Sequence, residues 1–314
     1  MLGSATSATA KRAAFRAGLA SGRLLRMPGA FSPLVARLVE ETGFDGVYVS
    51  GAVLSADLAL PDIGLTTLTE VAGRGGAIAG ATSLPSLLDT DTGFGEPLNA
   101  ARTVRVAEDA GLSGMHLEDQ VNPKRCGHLD GKQVVDVPTM LGRLRAAVSA
   151  RRDPDFVVCA RTDARGVEGL RAAIDRAKAY ADAGADMIFA EALADESEFE
   201  AFRAAVDVPL LANMTEFGRS KLLSAAALEQ LGVNVVIYPV TTLRIAMGAV
   251  EAGLRTLAAE GTQEGLVPAM QTRGRLYELV DYASYAQFDS AIHDFTLTAA
   301  QGGRDAQDGS EGER

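Results

Sequence analysis

A cysteine set among basic residues is the feature of this sequence with the clearest chemical potential. Lys124, Arg125, Cys126, Gly127 and His128 are consecutive, so one thiol lies beside two permanent cations and an imidazole. Nearby positive charge favours the thiolate, and an easily ionised thiol is suited to acid/base or nucleophilic chemistry. The glycine allows the backbone to bend. Basic residues also surround cysteines in solvated surface loops, so this segment alone leaves both interpretations open.

Acidic residues near the ends of short apolar runs form a second candidate group. Asp89 and Asp91 end one run, and Glu118 lies near the end of the next. Strand side chains alternate with a period of two, so Asp89 and Asp91 would share one face. Carboxylates that face one another repel unless they are protonated or bridged by a cation. Oxygen ligands without a histidine cluster favour a hard ion, and we expect Mg²⁺ with Mn²⁺ as a substitute. An Asp-x-Asp sequence can instead cap the next helix.

Eight apolar runs indicate the fold that positions these residues. They span 24–30, 46–51, 84–91, 114–121, 156–163, 185–192, 208–215 and 234–240. Segments with apolar residues at helical spacing, such as Leu170, Ala173, Ile174 and Ala177, lie between them. Strand and helix in alternation build a parallel sheet, and eight units predict an α/β fold, a closed (β/α)8 barrel of the TIM type. No GxGxxG motif follows the first run, which removes the usual mark of a dinucleotide-binding fold.

The barrel prediction can be checked against the position of the polar residues, because active sites of this fold lie at the carboxyl ends of the strands. Polar residues do end several of the runs, so one mouth of the barrel should be lined by acids and amides. The residues concerned are Tyr48, Ser50, Asp89, Asp91, Glu118, Gln120, Arg161, Asp163, Glu191, Asn213 and Thr215.

Composition excludes several classes of protein. A hydrophobic content of 47% and a mean hydropathy of +0.08 allow a large globular core. The net charge of -11 argues against binding to nucleic acid or to an anionic membrane surface. No apolar run approaches the ~20 residues that a membrane-spanning helix needs. The two cysteines, Cys126 and Cys159, are too few for a disulfide framework and fit a reducing compartment.

The two ends differ from the rest of the chain. Residues 1–39 contain basic residues and no Asp or Glu, as organellar transit peptides do, but the apolar core of a secretion signal is missing, and we expect a cytoplasmic protein. Residues 301–314 are too polar to repay the entropy of ordering. The predicted organisation is a flexible segment over 1–12, one barrel domain with C-terminal helices over 13–296, and a disordered tail over 297–314.

Together these motifs resemble the isocitrate lyase/phosphoenolpyruvate mutase superfamily, and most closely its methylisocitrate lyase family. The resemblance extends over residues 14–285. The motifs that carry it are Tyr48-Val49-Ser50-Gly51, Leu60-Pro61-Asp62-Ile63-Gly64, Asp89-Thr90-Asp91-Thr92-Gly93-Phe94-Gly95, His116-Leu117-Glu118-Asp119-Gln120, the segment 124–128, Ala160-Arg161-Thr162-Asp163-Ala164 and Met270-Gln271-Thr272-Arg273.

The resemblance implies a Mg²⁺-dependent cleavage of 2-methylisocitrate to pyruvate and succinate, a step of propionate catabolism in the methylcitrate cycle. Cys126, on a loop that closes over the substrate, would be the general acid that protonates the succinate half at carbon. Tyr48 is the first candidate for the base that takes the hydroxyl proton, and Asp62 is the second. Lys124 and His128 belong to the same catalytic group.

The resemblance also implies the remaining site residues and a homotetramer. Asp89 and Asp91 would bind the metal, with Glu118 acting through water. The implied substrate-binding residues are Ser50, Gly51, Ala52, Gly127, Arg161, Glu191, Asn213, Met214, Thr215, Arg244 and Arg273. A tricarboxylate needs a local cationic pocket on a chain of charge -11, and arginine binds carboxylates bidentately. The segment 270–295 could be the helical extension that family members exchange between subunits.

Substrate choice is decided better by pattern than by energy, because one methyl group in an apolar pocket is worth only ~1–3 kcal/mol. Arg125 and the stretch 213–217 differ from the Lys-Lys-Cys-Gly-His and Asn-x-Ser-Pro-Ser sequences typical of isocitrate lyases. Ala52-Val53 replaces a usual glycine run and Ala190 replaces a frequent proline. Isocitrate, 2,3-dimethylmalate and oxaloacetate therefore stay open as substrates.

A thiol redox sensor or a dicarboxylate-binding barrel is the alternative outside enzymes. Cys159 lies in an apolar run and is expected to be a core residue, which leaves Cys126 without a resolving partner. His116 is likewise expected to be a hydrogen-bonded interior residue, and His293 is isolated near the tail.

Overall fold

A computed structural model describes residues 6–127 and 131–294 of the chain. Eight parallel strands, each followed by helical structure, confirm the (β/α)8 barrel prediction. The strands are β1 (Leu25–Pro28), β2 (Val47–Val49), β3 (Ser86–Asp89), β4 (Gly114–Glu118), β5 (Val157–Thr162), β6 (Met187–Ala190), β7 (Leu210–Asn213) and β8 (Val235–Tyr238). Every strand lies inside the run predicted for it, but each is shorter.

Twelve α-helices occur in the described residues; at least one lies between each pair of successive strands, α1 precedes β1, and α10–α12 follow β8. They are α1 (Ala8–Ala20), α2 (Pro33–Glu41), α3 (Gly51–Asp57), α4 (Leu68–Gly80), α5 (Pro97–Asp109), α6 (Val137–Ala150), α7 (Leu170–Asp182), α8 (Glu196–Ala205), α9 (Ala225–Gln230), α10 (Thr241–Glu260), α11 (Arg273–Leu279) and α12 (Tyr282–His293). Side-chain caps fix several starts, among them a capping box between Thr67 and Glu70 at the start of α4. None of the described helices has the length and apolar composition needed to span a membrane.

The sheet closes on itself between the first two strands. Its order runs β1-β8-β7-β6-β5-β4-β3-β2, and all pairings between neighbours are parallel. A bridge joins Gly29 to Tyr48, and the amide of Ala30 donates a 3.0 Å hydrogen bond to the carbonyl of Tyr48. Closure leaves no free sheet edge, so every strand keeps a neighbour on both sides.

Side chains that point into the barrel form two zones. The lower zone is apolar and contains Leu25, Met27, Leu87, Val157, Cys159, Met187, Leu211, Val235 and Ile237. The upper zone is polar, because alternation along each strand brings residues such as Asp89, Glu118 and Arg161 to the inward face near the strand ends. A packed apolar floor therefore supports a polar mouth, and Cys159 is the fully buried core residue that was predicted.

Helix α1 closes the amino-terminal end of the barrel. Phe15 is completely buried and packs, with Leu19, into the same apolar cluster as the lower strand residues. Lys11 donates to the carbonyls of Ala79 and Thr82, at 2.7 Å to Ala79, and Arg12 pairs with Asp153 at 2.9 Å. The helix thus starts within the stretch 1–12 that composition marked as flexible. Buried hydrogen bonds of the two basic side chains hold it there, and composition gives no sign of them.

The last helices bury few of their residues against the barrel. Helix α10 follows β8, yet it has no buried residue, and neither has α12. Helix α11 contacts α2, where Arg37 donates a 3.0 Å hydrogen bond to the carbonyl of Leu279. A groove of about 750 Å³ lies between α2, the start of α10 and the outer faces of β1 and β8. Its apolar lining residues include Phe31, Val35, Leu38, Phe44, Tyr238 and Ile245. The predicted tail 297–314 and residues 1–5 lie outside the described residues.

Candidate active site

The cysteine segment lies over the polar mouth of the barrel. Lys124 is 4% exposed, and its ammonium pairs with Asp62 and lies 2.8 Å from Oδ1 of Asp91. Three residues later, Gly127 packs so closely on the opposite side of the mouth that a Cβ built on it would lie 2.5 Å from Cγ of Glu191. Cys126 lies between these two contacts and is partly exposed. The segment therefore bridges the acids of β3 and β6.

The side chain of Gln120 fastens the segment to the end of β4. Its Nε2 donates to the carbonyl of Arg125 at 2.9 Å, and its Oε1 accepts from the amide of Arg125 at 2.9 Å. Gln120 is 1% exposed, so both hydrogen bonds are shielded from water. The backbone next to Cys126 is thereby held in one register relative to the strand.

Asp89 and Asp91 meet against the start of α3. The amide of Gly51 donates to Oδ2 of Asp89 at 3.0 Å, and the amide of Asp91 donates to Oδ1 of Asp89 at 3.1 Å. Burial alone would raise the pKa of Asp89, but the imidazole of His116 and the ammonium of Lys124 lower it to about 2. Burial raises the pKa of Asp91 to about 6, against the opposing charge of Lys124. The two carboxylates thus differ in proton affinity although they are adjacent.

Glu118 is the third carboxylate at this side of the mouth. It is 1% exposed, and its Oε1 has no hydrogen-bond partner among residues 6–127 and 131–294. Burial raises the pKa of Glu118 well above its ordinary range, although Arg161 opposes this effect. A buried carboxylate oxygen without a donor is costly, so Glu118 is either protonated or shares a cation.

Arg161 is surrounded by carboxylates. Its guanidinium lies 3.1 Å from Glu118, 2.9 Å from Asp163 and 3.1 Å from Glu191. It also stacks on Phe189, with Cζ 4.9 Å from the ring centroid. Burial disfavours the charge, but the acids outweigh this effect and raise the pKa of Arg161. The residue therefore stays cationic at the centre of an acidic cluster.

The strands β7 and β8 contribute a more open side of the mouth. Nδ2 of Asn213 lies 3.4 Å from both carboxylate oxygens of Glu191. Arg244, at the start of α10, donates to Oγ1 of Thr215 at 3.3 Å and pairs with Glu216 at 2.6 Å. Because the side chain of Arg244 is 38% exposed, it can turn towards an anion at little cost.

Tyr48 and His116 form a buried pair beneath the acids. The Tyr48 hydroxyl lies 2.8 Å from Nε2 of His116 and donates to Oδ2 of Asp89 at 3.4 Å. Burial lowers the pKa of His116 to about 4, so the imidazole is neutral near pH 7, as expected of an interior histidine. Burial, with the adjacent charge of Asp89, raises the pKa of Tyr48. The phenol is therefore a hydrogen-bond donor in this environment.

The donor set fits a hard divalent cation. Asp89, Asp91 and Glu118 supply only oxygen ligands, and Glu118 keeps a buried oxygen without a donor. Within the part of the chain that the structure describes, no three His, Cys, Asp or Glu side chains are arranged to coordinate a metal directly. Mg²⁺ does not require such a cage, because it is usually held by one or two carboxylates, waters and substrate oxygens. The residues present are thus compatible with Mg²⁺.

Two predicted substrate-binding residues are not brought into the mouth. The side chain of Met214 faces the layer between barrel and helices, because Asn213 before it faces inward and strand residues alternate. Its sulfur accepts a hydrogen bond from the amide of Leu223. Arg273 is exposed at the start of α11, which packs on the outer helix α2. The Met214 side chain therefore points away from the mouth, and Arg273 does not contact the site within the described residues of one chain.

The remaining predictions have mixed outcomes. Ser50 is buried at the start of α3, Gly51 lies against Asp89, and Ala52 is half-buried on the same turn. His128 lies outside the described residues. Sequence analysis placed Asp163 in the mouth without a role and did not identify Lys132; the two form a 2.9 Å ion pair beside Arg161. Asp163 lies two residues after Arg161, so strand alternation predicts that its side chain also faces the mouth. No sequence pattern indicates the position of Lys132.

Comparisons with known proteins identify the family of this chain. A family model described as phosphoenolpyruvate phosphomutase matches residues 15–258. A curated protein of Corynebacterium glutamicum, probable 2-methylisocitrate lyase 2, is 64% identical over 95% of this chain and 97% of its own length. The 2-methylisocitrate lyase of Shewanella oneidensis is 46% identical over 86% of this chain and 93% of its own length.

Solved structures of the same superfamily have the same fold. An oxaloacetate acetylhydrolase superposes with a TM-score of 0.86 and 33% identity over 92% of this chain and 99% of the other. A 2,3-dimethylmalate lyase, a member of the PEP mutase/isocitrate lyase superfamily, superposes with a TM-score of 0.84 and 33% identity over 92% of this chain and 96% of the other. A phosphonopyruvate hydrolase crystallised with oxalate and Mg²⁺ superposes with a TM-score of 0.81 and 32% identity over 91% of this chain and 99% of the other. The chain therefore belongs to the 2-methylisocitrate lyase family of the phosphoenolpyruvate mutase/isocitrate lyase superfamily, and it is an enzyme of the lyase class.

Proposed function

We propose that the protein cleaves 2-methylisocitrate to pyruvate and succinate in a Mg²⁺-dependent reaction, as a step of propionate catabolism in the methylcitrate cycle. One observation carries the proposal: the segment that contains Cys126 is joined by Lys124 to the acid Asp91 and lies by Gly127 against Glu191. The segment that carries the thiol and the carboxylates proposed to bind the metal thus meet at one mouth of the barrel. The identity to the relatives named 2-methylisocitrate lyase supports the substrate.

The charges of the site support a requirement for a metal ion. Three protein cations, Lys124, Lys132 and Arg161, face six carboxylates. The six are Asp62, Asp89, Asp91, Glu118, Asp163 and Glu191. A substrate with three carboxylates could not enter such a site at low cost without additional positive charge. Asp89 and Asp91, with Glu118 through water, would hold Mg²⁺. When bound, the ion would polarise the substrate hydroxyl and neutralise negative charge that develops during cleavage.

Protein side chains supply the proton transfers. Cys126 protonates the carbon of the leaving succinate half, and the cations Lys124 and Arg125 on its own segment stabilise the thiolate that remains. The base that takes the hydroxyl proton stays a choice between Tyr48 and Asp62. The raised pKa of Tyr48 disfavours the phenolate, whereas Asp62 lies at the ion pair with Lys124 and is 18% exposed. Asp62 is therefore the better-supported base, with Tyr48 as a donor to the reacting oxygens.

Substrate carboxylates are bound on the open side of the mouth. Arg244 can leave its exposed pair with Glu216 and bind a carboxylate in a bidentate manner. Arg161 is already paired with three acids, so it organises Glu118 and Glu191 before it binds substrate. Thr215 and Asn213 add hydrogen bonds from the same side.

The proposal is tested by product analysis with purified protein and Mg²⁺. Incubation with 2-methylisocitrate, isocitrate, 2,3-dimethylmalate and oxaloacetate in parallel should release pyruvate and succinate from the first acid with the highest kcat/KM. Glyoxylate from isocitrate should form at a kcat/KM lower by roughly 10-fold or more, which corresponds to one methyl group in an apolar pocket. A higher kcat/KM for any of the other three acids would contradict the substrate assignment.

We further propose that the protein is a homotetramer in which the C-terminal helices are exchanged. Of the 21 large apolar side chains exposed in the described residues, 14 lie between Ile245 and Ile292. Exposed apolar residues at this density mark an interface. Among residues 6–127 and 131–294, no helix covers the groove beside α2, which is therefore suited to helices of a second copy. Sedimentation should give about four times the 32.7 kDa chain mass, and a monomer would contradict the proposal.

We also propose the cytoplasm as the location of the protein, since Cys126 must stay reduced to donate a proton.

A further inference from the structure

The backbone around Cys126 is held by two buried side chains that do not belong to the proposed catalytic set. Gln120 pairs with both backbone groups of Arg125, which precedes the cysteine, at 2.9 Å each. Lys132 donates to the carbonyl of Gly127, which follows the cysteine, and lies 2.9 Å from Oδ1 of Asp163. The thiol residue is thus tied on its amino side to β4 and on its carboxyl side to β5.

Lys132 connects the cysteine segment to the acidic cluster. Its side chain is 4% exposed, and burying an ammonium is favourable only when anions or carbonyls surround it. Asp163 meets this need, and the same carboxylate also holds Arg161 at 2.9 Å. The position of the Gly127 carbonyl therefore depends on an ion pair formed at the end of β5.

We propose that Gln120 and Lys132 are positioning residues that form a two-sided clamp and hold the Cys126 thiol over the mouth of the barrel. The clamp deepens the proposed function and rests on it, because positioning matters only if the thiol is the proton donor. Neither side chain touches the reacting atoms. A donor displaced by about 1 Å loses roughly 100-fold in rate, so fixed register of this segment is a requirement of the chemistry.

Thiol labelling tests the clamp without any substrate. Cys159 is fully buried and its pKa is raised by burial, so an alkylating reagent such as iodoacetamide should label one thiol in the native protein and two after denaturation. Lys132→Met removes the charged hydrogen bonds to Gly127 and Asp163 at nearly constant side-chain volume. Gln120→Leu removes the two hydrogen bonds to the backbone of Arg125. Each variant should increase the labelling rate of Cys126 roughly 10-fold, the scale of one charged hydrogen bond for Lys132 and of two neutral hydrogen bonds for Gln120.

The labelling rate is measured from pH 6 to 10, because its plateau above the thiol pKa reports access and its midpoint reports ionisation. If Lys132 acts only through its charge, Lys132→Met should shift the midpoint of the pH profile and leave the plateau rate unchanged. If Lys132 is part of the clamp, the plateau rate of Lys132→Met should exceed that of the wild type. Lys132→Arg, which keeps the charge and donors, should restore part of the wild-type rate, and kcat should fall roughly 10-fold in Lys132→Met with KM changed less.

Lys11→Met is the matched control. Lys11 is also buried, also donates to backbone carbonyls, and lies at the opposite end of the barrel. It should lower the melting temperature and leave the labelling plateau at the wild-type value. A wild-type plateau in folded Lys132→Met and Gln120→Leu would overturn the clamp. If the wild-type protein instead fails to cleave 2-methylisocitrate, the proposed function fails, while the labelling result still decides whether the clamp exists.

Discussion

Nζ of Lys124 lies 2.8 Å from Oδ1 of Asp91, so a protein cation neutralises a carboxylate that is proposed to bind Mg²⁺. A lysine and a divalent ion compete for such an oxygen, because both are attracted by the same charge. The pairing also explains why Lys124 can be 4% exposed: Glu118 and Asp91 outweigh the effect of burial and raise its pKa.

Replacement of Lys124 should therefore separate metal affinity from turnover. Lys124→Met is expected to bind Mg²⁺ at least about threefold more tightly, because one competing charge is lost, and to turn over at least ~10²-fold more slowly, because the cysteine segment loses its ion pairs. Titration calorimetry and initial rates measure the two quantities. Weaker Mg²⁺ binding in this variant would show that Lys124 supports the metal site and does not compete with it.

The Mg²⁺ requirement should depend on pH through Asp91. Burial raises the pKa of Asp91 to about 6, so the folded enzyme holds a proton on this carboxylate below that pH. A metal ligand must be deprotonated, and each unit below pH 6 should raise the apparent Kd for Mg²⁺ about tenfold. Between pH 7 and 8 the Kd should be constant. Mg²⁺ titrations of activity from pH 5 to 8 check this, and a flat profile down to pH 5 would exclude Asp91 as a ligand.

The two cysteines allow a paired test of the proton donor. Cys126→Ser should keep the fold and lower turnover by at least ~10²-fold, since a hydroxyl is a far weaker acid than a thiol. Cys159→Ser should lower stability and leave turnover per folded molecule unchanged. It places a hydroxyl in the apolar floor of the barrel, which should lower the free energy of unfolding by about 1–3 kcal/mol. Circular dichroism melts and kcat distinguish the two. Wild-type turnover in Cys126→Ser would remove the thiol from the mechanism.

Gly127 should tolerate no side chain. A Cβ there would lie 2.5 Å from Cγ of Glu191 and 2.7 Å from its Cδ, so Gly127→Ala must push the cysteine segment away from the mouth. We expect turnover to fall at least ~10²-fold with a small change in melting temperature, because the segment can move outward. Gly73→Ala is the control. It lies in α4 with no atom within 4 Å of a built Cβ, and it should raise stability by about 0.4–1 kcal/mol. Equal turnover of the two variants would contradict the close approach.

The barrel and much of its mouth could be predicted because both follow from a period of two. Inward residues alternate along each strand, so the apolar floor and the acids Asp89, Glu118 and Glu191 are visible in the order of residues. The same rule directs the Met214 side chain outward, because this residue follows the inward Asn213. The family motif names Met214 without regard to this alternation.

Long-range ion pairs could not be predicted, because no local pattern encodes them. The contact between Lys132 and Asp163 joins residues 31 positions apart, and the buried bonds of Arg12 reach Asp153, 141 positions away. Composition suggested a flexible start to the chain, whereas two buried basic side chains fix α1 beneath the barrel. The surroundings of Arg273 likewise depend on how α11 packs on α2, and the hydrophobic pattern of a helix does not specify which other helix it contacts.

The burial of Phe15 has a further consequence for catalysis. Because the Phe15 ring fills the amino-terminal end of the barrel, substrate entry and product release must both use the opening at the carboxyl ends of the strands. The three-carbon and four-carbon fragments of the proposed reaction would therefore both leave past the segment that carries the thiol.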